Sequence, residues 1–167
     1  AYSQYNMLIN WRKSQLLHEY ELFPDKEKLN ILLKKLLDTQ NFPFSYWVNL
    51  EIEKIRNQEN TPIDFFPDFL HRGFYYEQLE RYYQFFPVEN ILVIEHRELK
   101  NNRISTLRKI EQFLNIPYVD WNAINLDDKF VSQYNVKLPS DIRNKLKAFF
   151  KPYNEKFYKL IKRNFDW

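Results

Sequence analysis

Apolar residues recur with a helical period along most of the chain, and in one place they run together. Between Asp25 and Gln40, Leu29, Leu32, Leu33, Leu36 and Leu37 fall at i, i+3, i+4, i+7 and i+8, the stripe of an amphipathic helix opened by Pro24-Asp25. Tyr2 to Trp11 predicts a shorter helix with Tyr5, Leu8 and either Ile9 or Trp11 turned inward. Ser45 is placed to cap a further helix reaching about Asn57, with Trp47, Leu50 and Ile55 on its buried side. Gly73 stands at the head of another, which Pro87 ends and whose stripe is Tyr75, Leu79, Tyr82 and Phe86. Ile91-Leu92-Val93-Ile94 then reads as one clear buried strand over 91–95, because four apolar, mostly β-branched residues between turn signals suit a sheet covered on both faces. Ile104, Leu107, Ile110 and Leu114 predict a helix after it. Ser140 is expected to cap the last helical region, where Pro152 divides the stripe Ile142, Leu146, Phe149, Phe150 from Phe157, Leu160 and Ile161.

Composition narrows the reading. A chain of 167 residues is expected to form a single domain, 1–167, with one substantial core. One Gly, 8 Pro and 19% aromatic residues fit helices joined by Pro-marked turns and disfavour an all-β sandwich. The 25 basic and 22 acidic side chains are intermixed, so no segregated stripe points to nucleic acid, and no RNA-binding module is recognisable. Lacking cysteine, the chain has no disulfide, thiolate metal site or Cys nucleophile. It contains no HExxH, GxSxG or EF-hand pattern, so no metal site is expected. Glu51 and Glu53 alternate on a predicted helix and so face different ways, which argues against a paired acid–base site. No window approaches 18 consecutive apolar residues, and AYSQYN has neither the basic nor the apolar part of a signal peptide; a cytoplasmic location without a membrane span is the default expectation. The sequence opens without Met inside a running helix, and a piece of a longer protein is expected.

The ordered set Arg72-Gly73-x-Tyr75, Gln78-Leu79, Phe86-Pro87, the 91–95 run, Leu99, and Leu107 to Phe113-Leu114 resembles the C-terminal half of sulfotransferases that use PAPS (3′-phosphoadenosine 5′-phosphosulfate). The resemblance implies an α/β, P-loop-NTPase-like sulfotransferase fold, of which this chain is the mainly α-helical C-terminal portion. It implies transfer of a sulfuryl group from PAPS to a hydroxyl or amine of a small-molecule or carbohydrate acceptor, with adenosine 3′,5′-bisphosphate as product. In the family an Arg-x-Pro-x-x-Arg segment leads into a helix beginning Ala-Tyr-Ser, whose Ser helps hold the 3′-phosphate. Ala1-Tyr2-Ser3 matches its end, and the motif's first Arg would precede residue 1. Ser3 is equally well read as a helix cap.

Other positions carry over less directly. The family's adenosine-closing loop, often Lys-Gly-Arg, corresponds here to residues 129–137, without Gly or Arg; Lys129, Ser132 and Lys137 are the phosphate donors it offers. His96 stands where many relatives place a Tyr beside the adenine, although Arg97 replaces a common Glu. Phe65 and Phe66, in the loop-like ENTPIDFFP, together with Gly73 and Tyr75, are candidates for the acceptor pocket; a hydrophobic staple is the alternative for the two Phe residues. His71 is the local candidate for the base, against a surface or capping role. The phosphosulfate cradle of the family is an N-terminal strand-loop-helix carrying a Lys and Ser/Thr, a relative of the glycine-rich phosphate-binding loop of nucleotide enzymes, and a chain whose one Gly is Gly73 builds no such loop. On these grounds the chain alone is expected to be inactive. The competing reading is a non-enzymatic helical protein-interaction domain whose aromatic residues are all core. Acceptor and oligomeric state are not legible.

Overall fold

A computed structural model describes residues 2–10, 25–57, 68–127 and 137–165. The α-helices among them are α1 (Tyr2–Asn10), α2 (Lys26–Leu37), α3 (Phe44–Arg56), α4 (Tyr75–Tyr83), α5 (His96–Asn101), α6 (Arg103–Leu114) and α7 (Ser140–Ile161). None is long and apolar enough to cross a membrane. The chain groups into two compact units, one of residues 1–75 and 134–154, the other of 76–133 and 155–167.

The first unit is built on α2 and α3. The Asp25 carboxylate accepts the Lys28 N–H at 2.8 Å and so caps α2, whose Leu29, Leu33 and Leu36 are buried while Leu37 falls outside the stripe. Helix α3 begins at Phe44 after Pro43 and has no side-chain cap; Ser45, expected as that cap, lies inside the first turn instead. Because the helix starts early, Phe44 joins Trp47, Val48 and Ile52 on the buried face. Tyr5 and Leu8 of α1, Phe69, Leu70 and Ile142 complete this core. Aromatic edges hold it together, with Tyr5 and Phe44 ring centroids 5.2 Å apart and Phe69 at 5.8 Å from both.

In the second unit Leu79, Phe157 and Phe165 form the buried cluster, covered by Tyr76, Tyr83, Ile91 and Val93 among others. The expected α4 stripe is therefore corrected: Tyr75, Tyr82 and Phe86 are exposed, and Tyr76, Leu79 and Tyr83, at i, i+3 and i+7, face inward. On α6 the apolar Ile104 and Leu114 are exposed, whereas Thr106 and Glu111 are buried. Helix α7 runs through Pro152, which costs one intrahelical bond without ending the helix; buried side chains on both sides of it favour continuation.

The buried strand expected over 91–95 is not there. Ile91 has extended dihedrals (φ −126°, ψ 113°), but residues 91–95 pair with no other described segment, and Leu92 is 38% exposed. Among the described residues there is no strand or sheet, so the α/β description gives way to a helical one. The reason is local: β-branched side chains restrict the backbone to extended geometry, whereas a strand also needs a hydrogen-bonding neighbour. Ile91 and Val93 pack on a cluster drawn from helices and the C-terminal segment.

Candidate functional site

The polar groups with most chemical potential gather where the chain enters α4, in the first unit. Asp68 takes a left-handed conformation (φ 58°), which its short polar side chain tolerates better than most. This turns two successive amides towards α3. There Glu51, fully buried, accepts the Phe69 N–H through one carboxylate oxygen and the Leu70 N–H through the other, each at 2.6 Å. Burial pushes Glu51 up to about 7; the Phe69 and Leu70 amides oppose it, Asp68 adds to the rise and Lys54 counters it.

The chain then makes a 3₁₀ turn, His71–Gly73, closed by Gly73 N–H to Leu70 C=O at 2.8 Å and Phe74 N–H to His71 C=O at 3.1 Å. The Arg72 Nε–H donates to Asp68 Oδ2 at 3.2 Å. His71 Nδ1 lies 3.8 Å from Asp68 Oδ1, a buried oxygen with no hydrogen-bond partner. That separation is an electrostatic contact rather than a hydrogen bond. The His71 and Arg72 side chains are about half exposed, 47% and 54%, against 29% for the Asp68 side chain between them. The imidazole meets the Phe74 ring edge-on, centroids 5.6 Å apart, and Phe74 stacks on Tyr153 at 4.2 Å.

Gly73 earns its place by packing. A Cβ there would meet the Phe150 ring at 2.8 Å, so the ring lies where any side chain would clash. Tyr75 opens α4 with 48% of its surface exposed. His71, Gly73 and Tyr75 are thus adjoining features of one turn.

The remaining sequence candidates are more scattered. Ser3 is exposed in the first turn of α1, which contains no acidic residue. Lys137 is exposed just ahead of α7. His96, in the second unit, is exposed at the start of the short α5. Lys129, Ser132, Phe65 and Phe66 lie outside the described residues. Sequence reasoning weighed Glu51 only against a paired acid–base site, carried Arg72 only as part of the family pattern, and passed over Asp68. The signal for Glu51 was in the pattern, since it falls seven residues after Phe44 and four after Trp47, a carboxylate on the apolar face of α3.

The second unit has a buried carboxylate of its own. Glu111 accepts from Arg108 at 2.8 Å, from the Val119 N–H at 2.8 Å and from the Trp121 indole Nε1–H at 2.8 Å. Burial pushes its carboxyl upward, but the Val119, Arg108 and Trp121 donors prevail and hold it below the ordinary carboxylate value. Every partner lies within twelve residues of it, and the cluster ties the segment after α6 to that helix. Glu98, 14% exposed, pairs with Arg163 and lies 3.7 Å from Lys109.

A family model described as a sulfotransferase domain matches residues 36–133, more than half of the chain. The chain is similar to the membrane-associated sulfotransferase kil1 of Dictyostelium discoideum, 33% identical over 98 residues that make up 59% of this chain and 20% of that protein. It is also similar to heparan sulfate glucosamine 3-O-sulfotransferase 5 of Homo sapiens and of Mus musculus, 25% identical in each case over 114 residues, 56% of this chain and 32% of theirs. The chain therefore spans a third or less of the length of these relatives. No solved structure matches it.

Proposed function

The chain belongs to the sulfotransferase domain family, and on that footing we propose that it is the C-terminal part, 1–167, of one catalytic domain that moves a sulfuryl group from PAPS to a hydroxyl or amine, with a carbohydrate acceptor favoured. The observation that carries this reading is the turn at 68–75. It lies within the matched region, has the Arg72-Gly73-x-Tyr75 order, and presents a half-exposed imidazole beside a carboxylate.

PAPS, when bound, supplies the sulfuryl group and a good leaving group. The chain's own residues then have two tasks. His71 is the proposed base: its Nδ1 faces Asp68, and its Nε2 is proposed to take the proton of the acceptor hydroxyl or amine. Asp68 stabilises the imidazolium so formed, and Arg72, paired with Asp68, keeps the carboxylate oriented. The second task is nucleotide binding. The first turn of α1 suits a phosphate, because its amides and the Ser3 hydroxyl are donors and the turn itself contains no acidic residue. Lys129, Ser132 and Lys137 are proposed to add donors, and His96 to stack on the adenine. Phe65, Phe66, Gly73 and Tyr75 are the proposed surroundings of the acceptor. The family's phosphosulfate loop, related to the glycine-rich phosphate-binding loop, has no counterpart in this sequence, so the 167-residue chain alone is proposed to be inactive.

Calorimetry with adenosine 3′,5′-bisphosphate and with AMP tests the reading on the chain itself. The bisphosphate should bind the more tightly, at about millimolar affinity, roughly 4 kcal/mol short of a micromolar site. Ser3→Ala should remove the preference. Equal binding of the two nucleotides, or an indifferent Ser3→Ala, would count against the nucleotide site.

A further inference from the structure

Glu51 sits in an environment where an apolar side chain would ordinarily stand, between Trp47, Val48 and Ile52 on α3. Its burial costs free energy that the two amide bonds offset only because both carboxylate oxygens are used. Asp68 is left-handed at the residue just before the two amides, and one side-chain carboxylate meets both of them. The same Leu70 whose N–H is gripped offers its C=O to Gly73 N–H, and so begins the turn that bears His71 and Arg72. Asp68, in its strained conformation, is the other member of the trio, one residue before the first gripped amide.

We propose that Glu51 is the positioning residue of this site: its buried carboxylate, by holding the Phe69 and Leu70 amides, sets where His71, Arg72 and Asp68 stand. The inference rests on the reading of His71 as the base, but the anchoring itself does not require the chain to be active. Glu51 touches no reacting group and acts only through the turn.

The decisive variant is Glu51→Gln, which keeps the volume but offers one acceptor oxygen and sets its NH₂ against an amide donor. In the 167-residue chain at about pH 8, above the raised Glu51 value and so with its carboxylate ionised, amide exchange at Phe69 or Leu70 should accelerate at least about tenfold, the loss expected for one hydrogen bond to a charged acceptor. In the same NMR spectra the His71 ring and Arg72 Nε–H signals should move, while the Trp47 indole signal and that of His96, in the other unit, stay in place. Unchanged exchange at both amides would overturn the proposal. So would faster exchange with unmoved His71 and Arg72 signals, since Glu51 would then be a plain core fixture.

Should the variant fail to fold, the wild-type chain decides the matter. Titration of the Glu51 side-chain carbon should be followed, with one midpoint, by the Phe69 and Leu70 amide protons and by Arg72 Nε–H, with Asp68 and Lys54 the charged groups acting on that midpoint. Signals that ignore the Glu51 titration would refute the anchoring. These signals are read without any sulfuryl transfer, so failure of the catalytic reading stays separable from failure of this one.

Discussion

Raising the pH from 4.5 to 8 should destabilise the folded chain through Glu51 alone. Burial lifts this carboxyl from an ordinary 4.5 to about 7, so across that interval the folded chain keeps a proton that the unfolded chain has already released. Stability then falls as pH rises: the contribution is whole below about 4.5 and gone above about 7. At about 1.4 kcal/mol per tenfold change in proton affinity, the total is of order 3 kcal/mol. Such a loss is a sizeable part of what a domain of this size has to spare. Urea unfolding followed by far-UV circular dichroism, at half-unit steps from pH 4.5 to 8, measures it. Other groups titrate in the same window, so the informative quantity is the difference between wild type and Glu51→Gln, whose side chain has no proton to release. That difference should shrink by about 3 kcal/mol across the window. A difference that is flat, or that grows with pH, would show that the two amides outweigh burial and that Glu51 is ionised throughout.

Three further outcomes follow from packing and charge. Gly73→Ala should cost about 1–3 kcal/mol because its Cβ meets the Phe150 ring, and Phe150→Leu in the double variant should recover part of it; a neutral Gly73→Ala in urea unfolding would mean the ring moves aside freely. Trp47→Ala, at a fully buried core position, should cost about 3–5 kcal/mol in the same assay, and a loss under about 1 kcal/mol would place Trp47 outside the core. Glu111 is held below the ordinary carboxylate value, so its contribution is present near neutrality and lost as the pH falls through its lowered folded value; the Trp121 indole N–H signal should shift there by NMR, and in Glu111→Gln at neutral pH.

Much of the helical framework was written in the order of residues. Leu29, Leu33 and Leu36 are buried as their spacing requires, and Asp25 caps α2 where a capping residue precedes the stripe. The Arg72-Gly73-x-Tyr75 to Phe113-Leu114 order carried the family, because it is a long ordered pattern and needs no knowledge of contacts. Periodicity is a local property, and for these elements local geometry decides which side chains share a face.

Where an outcome depended on a neighbour, the sequence was silent. Ile91 and Glu95, at the two ends of the 91–95 run, have extended dihedrals, but pairing is supplied by another segment, and none of the described residues supplies it. On α4 the stripe through Tyr75 and Tyr82 was as regular as the one through Tyr76 and Tyr83; only Leu79, Phe157 and Phe165 decide which is covered. Glu51 is the sharpest case. Its place on the apolar face could be read from spacing, yet a carboxylate there looks like an error until Asp68 turns the Phe69 and Leu70 amides towards it. A buried charge is tolerated only with donors aimed at it, and those donors lie eighteen and nineteen residues further along the chain, brought to Glu51 by tertiary folding alone.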